Sequence, residues 1–255
     1  MIRLPRALSW PRYGIGPRAY LRLRRAPRGR PATAPLFGRE LRILDPIDFL
    51  SGVHQIFGQG VYAFDGAGPR PRILDCGANI GLSCIYFRRR FPRARLTAFE
   101  PDPAIATALR ANLAAFGLDD VELVQAAAWT SAGTAAFARD GTLGGRLADA
   151  GEPVATVRLR DWLAEPVDLL KLDVEGAETT VLADCADRLG AVARLFVEYH
   201  GAAGSPQTLH QVLAILADAG FRCYLREEYA PAQPFLARPS RAGFDTQLAI
   251  YAVRT

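Results

Sequence analysis

Residues 72–82 read RILDCGANIGL. A short apolar run ends on the acid Asp75, two glycines stand four apart at Gly77 and Gly81, and an apolar stretch follows at helix pitch. Such a strand, tight turn and helix start presents backbone N–H groups and the positive end of a helix to an approaching ligand. Gly77 permits the close turn and Gly81 close packing. The run departs from the dinucleotide fingerprint G-x-G-x-x-G, because Asn79 holds the middle position. Asp75 is placed to hold a water or a ligand's amino group.

Twenty-five residues past Asp75, the string TAFEPD carries Glu100 at the end of the next apolar run. A carboxylate there can accept hydrogen bonds from both hydroxyls of a ribose. Asp102, just beyond, has the composition of a helix cap.

The rhythm around these motifs alternates. RILDC precedes a helix over about 81–90, RLTAFE a helix over about 102–116, and VELVQAAAW closes the third unit. After Trp129 the rhythm breaks at Gly133 and DGTLGG before VATVRL, which predicts a hairpin or small insertion. It resumes with VDLLKLD, a helix over about 177–189, RLFVEYH, a helix over about 206–219, FRCYL and a last strand near LAIYAV. Strands alternating with helix-length segments predict right-handed βαβ units and a mostly parallel sheet of about seven strands.

The flanks differ from this body. Residues 1–40 hold ten arginines against the single acid Glu40, within a chain of net charge +5. Prolines 5, 11, 17, 27, 31 and 35 interrupt the same stretch, so it is expected to be an extended or disordered basic arm, with an anionic membrane surface or partner as its natural counterpart. Residues 41–69 predict a helical cap, and residues 70–255 the ligand-binding domain. No run approaches the roughly 18–20 apolar residues of a membrane span, and the N-terminus lacks a secretory apolar core, so the expected compartment is the cytoplasm. Cys76, Cys84, Cys185 and Cys223 form no C-x-x-C pair, which indicates neither a disulfide framework nor a zinc knuckle.

DCGANIG, AFEPD, the AAAW run, DLLKLDVEGAE and VEYH, in this order over roughly residues 70–200, resemble the FkbM family of S-adenosylmethionine-dependent methyltransferases. The resemblance implies a class I methyltransferase fold, a Rossmann-like three-layer α/β sandwich with helices on both faces of the sheet. It implies S-adenosylmethionine as cofactor and O-methylation of a sugar, glycan or natural-product hydroxyl. By position it assigns Asp75, Gly77, Asn79, Gly81 and Glu100 to the cofactor site. Two features depart from the pattern: Arg160 precedes Asp161 where an acid is expected, and the third strand ends without an Asp, leaving Gln125 or backbone near Ala127 to meet adenine.

Ligands gather beyond the carboxyl ends of strands in open α/β sheets. That brings together Asp173, Glu175, Glu198 and His200, with Asp173 also near the cofactor. An alcohol must be aligned and must lose its proton to accept a methyl group, and His200 is the first candidate base, Asp173 the second. The same quartet suits a divalent cation, magnesium or manganese, a choice that spacing leaves open. Lys171 is expected to pair with a carboxylate, and Glu178 to favour its helix N-terminus. The partner expected is a hydroxyl-bearing small molecule or glycan rather than a stably bound nucleic acid, since the fourth strand ends in DVEG and not in (D/N)PP(Y/F). RNA 2'-O-methylation and a non-catalytic cofactor-binding protein are the rival readings.

Overall fold

A computed structural model of the chain describes residues 7–65, 68–139 and 145–254. In chain order the elements are α1 (Pro17–Arg25), β1 (Ala32–Leu36), β2 (Arg39–Ile43), α2 (Pro46–Val53), β3 (Arg72–Cys76), α3 (Leu82–Arg90), β4 (Arg95–Phe99), α4 (Pro103–Ala115), β5 (Glu122–Val124), β6 (Ala127–Trp129), β7 (Gly133–Ala138), β8 (Arg146–Leu147), β9 (Glu152–Arg158), β10 (Leu169–Leu172), α5 (Glu178–Cys185), β11 (Arg194–Ala202), α6 (Leu209–Asp218), β12 (Phe221–Tyr229) and β13 (Phe244–Arg254).

β3 is buried along nearly its whole length, and successive side chains point to opposite faces. Ile73 enters the apolar layer under α3 and α4, while Leu74 enters the layer under α5 and α6. Burial on both faces is the signature of a parallel strand covered by helices on each side. The central sheet has the order β12-β13-β11-β10-β3-β4-β5, and only β13 runs antiparallel to its neighbours. The order reverses between β3 and β10, so a crevice opens at their carboxyl ends.

The expected mostly parallel seven-stranded sheet is thus present. The third run differs: VELVQAAAW divides into β5 in the central sheet and β6, which pairs with β9 in a second sheet of order β6-β9-β7-β8. The expected hairpin is the antiparallel pair β7 and β9 within that second sheet. Of DGTLGG, only Gly145 lies among the described residues.

The N-terminal stretch differs from the extended arm its composition predicts. Described residues from Trp10 onward fold against the body, and Trp10, Tyr13, Ile15, Tyr20 and Leu23 join the same apolar cluster as β3, α3 and α4. Trp10 stacks on Tyr20 with ring centroids 5.2 Å apart. Pro17 opens α1, at a position whose N–H has no helical partner. β1 and β2 form an antiparallel ribbon, and Asn112 of α4 clasps the backbone of Arg42 through both its N–H and its carbonyl. The predicted cap over 41–69 holds the end of β2, then α2 and a wider π-helical turn over His54–Gln59. Asp45 caps α2 by accepting from the N–H groups of Ile47 and Asp48, and Arg28 ties both acids down.

The four cysteines are free thiols. Among the described residues no helix is long and apolar enough to cross a membrane.

Candidate functional site

A cavity of about 470 Å³ opens at the carboxyl ends of β3, β4, β10 and β11, beneath α2. Its first wall is the turn after β3. Gly77, Asn79 and Gly81 all take positive φ, +86°, +50° and +92°. A Cβ on Gly77 would lie 1.9 Å from the carbonyl oxygen of Asp173, so only glycine lets the ends of β3 and β10 approach. At Gly81 the Cβ would meet Leu109 Cδ1 at 2.6 Å, which makes this glycine a packing contact between α3 and α4. Gly77 and Asn79 line the cavity, whereas Gly81 lies behind its wall.

Glu100 stands opposite, buried at the end of β4. Its two carboxylate oxygens accept from Asn79 N–H at 3.0 Å and Asp102 N–H at 2.9 Å, which fixes the carboxylate plane. Burial pushes its pKa up to about 7, against the pull of those two backbone N–H groups. Hydroxyl donors presented to this carboxylate would favour its charged form. Asp102 caps α4 and also pairs with Arg139 at 2.9 Å. Ala127 and Ala128 line the cavity where an adenine-binding acid is lacking, and Gln125 does not.

Asp75 is fully buried and does not line the cavity. One oxygen accepts from Ser83 and from Cys84 Sγ, and the other meets Lys171 Nζ at 3.2 Å. The direct ligand contact expected of Asp75 is therefore absent from this arrangement; it anchors Lys171 instead. Lys171 donates to Gly77 O at 2.8 Å and lies 3.3 Å from Asp173 Oδ2, the pairing expected of it. Burial disfavours its charge, but Asp75 and Asp173 outweigh that and hold its pKa well above the usual value.

The second wall carries Asp173, Glu175, Glu198 and His200, which the structure does bring together. Glu175 takes φ +55° and Gly176 φ +100° in the turn after β10, swinging the chain back into α5. Glu178 accepts from Val174 N–H at 3.2 Å and Gly176 N–H at 3.0 Å, which stabilises that turn. It also sits 3.0 Å from His200 Nδ1. Glu198 and His200 share a face of β11 through its two-residue period. His200 Nε2 lies 3.4 Å from Glu175 and 3.9 Å from Glu198. Burial disfavours the imidazolium, yet the carboxylates of Glu178, Glu175 and Glu198 outweigh it and raise the His200 pKa well above 6.5. Burial raises Glu175 to about 8 and Glu198 to about 7, with Asp173 adding to both and His200 opposing.

Several residues shape the site in ways the motifs do not signal. Glu178 reads as a helix-dipole residue, yet it is buried and orients His200. Gln55 reaches Glu228 of β12 at 3.3 Å across 173 residues, and Gln247 and Arg241 come from the last hairpin. Tyr62 lines the cavity and meets Phe196 edge-on, whereas Trp162 packs on Phe99 and Tyr199 accepts from Thr208 N–H.

Residues 75–223 match the family described as Methyltransferase FkbM domain. The chain is 31% identical over 222 residues to methyltransferase sdnD of Sordaria araneosa, covering 70% of this chain and 85% of that protein. It is 31% identical over 157 residues to 2-O-methyltransferase NoeI of Sinorhizobium fredii, covering 51% of this chain and 64% of NoeI. The crystal structure of methyltransferase FkbM from Methylobacillus flagellatus superposes with a TM-score of 0.50 at 16% identity, over 74% of this chain and 45% of that one. With Glu100 facing the glycine turn across one crevice, and with the family match spanning both, the chain belongs to the FkbM family and is an S-adenosylmethionine-dependent methyltransferase.

Proposed function

We propose that the protein transfers the methyl group of S-adenosylmethionine to a hydroxyl oxygen of a sugar, glycan or other polyhydroxylated natural product. The observation that carries this reading is the cluster of Asp173, Glu175, Glu198 and His200 in the same cavity as the Glu100 turn. The cofactor supplies a methyl carbon made electrophilic by its sulfonium. Gly77, Asn79 and Glu100 hold its methionine and ribose portions, and Ala127 and Ala128 flank the adenine. The acceptor enters beside Gln55, Gln247 and Glu228, whose amides and carboxylate suit hydroxyl groups.

A hydroxyl is a weak nucleophile until its proton has somewhere to go, and alignment near 3 Å supplies much of the remaining rate. The carboxylate and imidazole cluster receives that proton as the C–O bond forms and the S–C electron pair returns to sulfur. NoeI, named a 2-O-methyltransferase, supports oxygen as the accepting atom.

The test is methyl transfer from labelled S-adenosylmethionine to a panel of glycosides, a hydroxylated macrolide and total RNA. Label in a glycoside or the macrolide supports the reading. Label confined to RNA overturns the acceptor class.

A further inference from the structure

We infer that Asp173, Glu175 and His200 bind one divalent cation beside the acceptor hydroxyl. The inference deepens the proposed hydroxyl transfer, but its geometry stands apart from the acceptor's identity. One donor atom from each of the three lies within 4.8 Å of the other two. Bonds of about 2.1 Å in an octahedron put neighbouring donors about 3.0 Å apart and opposite donors about 4.2 Å apart. The 3.4 Å between His200 Nε2 and Glu175 is already near the first of these.

A second observation comes from the imidazole itself. Glu178, whose carboxylate already collects two backbone N–H groups, can only accept from His200 Nδ1, so Nδ1 carries a proton. Nε2 then points toward Glu175 at 3.4 Å and Glu198 at 3.9 Å, in a side chain that lines the cavity although His200 is only 5% exposed. Two carboxylates converging on one buried ring nitrogen call for positive charge there, which a ring proton supplies in the free protein and a metal ion that replaces this proton supplies when bound. A histidine backed by a carboxylate on its other nitrogen is the usual support of a metal ligand. Lys171 occupies Oδ2 of Asp173 at 3.3 Å, which leaves the other oxygen for the cation.

Two carboxylates with one imidazole suit manganese or magnesium, and the open positions face the cavity. A cation there lowers the pKa of an adjacent hydroxyl. His200 is then a ligand rather than the proton acceptor expected from sequence. Glu198, 3.9 Å from Nε2 and outside the triad, takes the proton.

The test is a titration of the full chain with Mn²⁺, followed by electron paramagnetic resonance, without cofactor or acceptor. One bound Mn²⁺ per chain is expected, with affinity weakened at least tenfold in His200→Gln and in Glu175→Gln. Glu175 lies on a partly exposed turn, so that variant decides the matter if His200→Gln fails to fold. Glu228→Gln removes a nearby carboxylate outside the triad and should change affinity by less than about threefold. No stoichiometric Mn²⁺, or equal losses in Glu175→Gln and Glu228→Gln, would overturn the site. Methyl transfer that persists in chelator with no Mn²⁺ bound contradicts the cation site alone. Mn²⁺ bound normally with no labelled hydroxyl contradicts the acceptor reading alone.

Discussion

Glu178 holds His200 by a 3.0 Å contact to Nδ1, and both side chains are buried. The carboxylate fixes the ring's orientation and tautomer, so whatever Nε2 does in the cavity depends on a residue that does not reach it. Glu178→Gln should therefore lower turnover by about 10- to 100-fold while S-adenosylmethionine affinity stays within about twofold. His200→Ala should follow the same split. Calorimetric affinity and turnover measured on one preparation check this; a parallel loss of both would assign Glu178 to the fold alone.

Glu100 should dominate cofactor affinity. Loss of charged hydrogen bonds in Glu100→Ala is worth about 1.5–3 kcal/mol, or about 10- to 100-fold in Kd. Because burial raises Glu100 to about 7 in the free protein, and a ribose diol favours the ionised form, binding must expel a proton below that pH. Affinity should fall as pH drops from 8 to 6, with proton release visible in buffers of different ionisation enthalpy. A flat profile would remove Glu100 from the ribose.

The two turn glycines should differ in cost. Gly77→Ala drives a Cβ into the Asp173 backbone at 1.9 Å, which nothing flexible can relieve, and should abolish cofactor binding or folding. Gly81→Ala strains a backbone held at φ +92° and puts a Cβ 2.6 Å from the movable end of the Leu109 side chain, and should cost about 1–3 kcal/mol in stability with binding retained. Thermal melts and cofactor titration of both variants decide this.

The N-terminal stretch should behave as structure. Trp10 is fully buried in the cluster shared with β3 and α3, so Trp10→Ala should destabilise the protein by about 3–5 kcal/mol in denaturant. A change below about 0.5 kcal/mol would return residues 10–25 to the extended arm their composition predicts.

The parts legible in sequence are local. Strand, turn and helix from Arg72 to Arg90 lie in one short string, and Glu100 follows at the end of the next strand, so pattern and spacing suffice for both. Asp173, Glu175, Glu198 and His200 are likewise legible because consecutive parallel strands end side by side. What composition concealed was the use of its residues. Ten arginines and regular prolines over 1–40 read as disorder, but aromatic and aliphatic anchors at Trp10, Tyr13, Ile15 and Tyr20 outweigh them once a partner surface exists. The Asn112 clasp on Arg42, and Gln55 on Glu228, join residues 70 and 173 apart, beyond the range of any periodicity. Asp75 shows the opposite failure: its motif position is as expected, yet its carboxylate faces Lys171 and Ser83 behind the cavity.

Transfer of a ¹³C-methyl group to oxygen tests the central claim most directly. Wild-type protein would be incubated with ¹³C-methyl S-adenosylmethionine and the best glycoside acceptor, and the product examined by carbon–proton correlation spectroscopy. A new methoxy resonance, coupled to a sugar ring position and lost in Glu100→Ala, is the predicted result. A labelled methyl on nitrogen or carbon would contradict it.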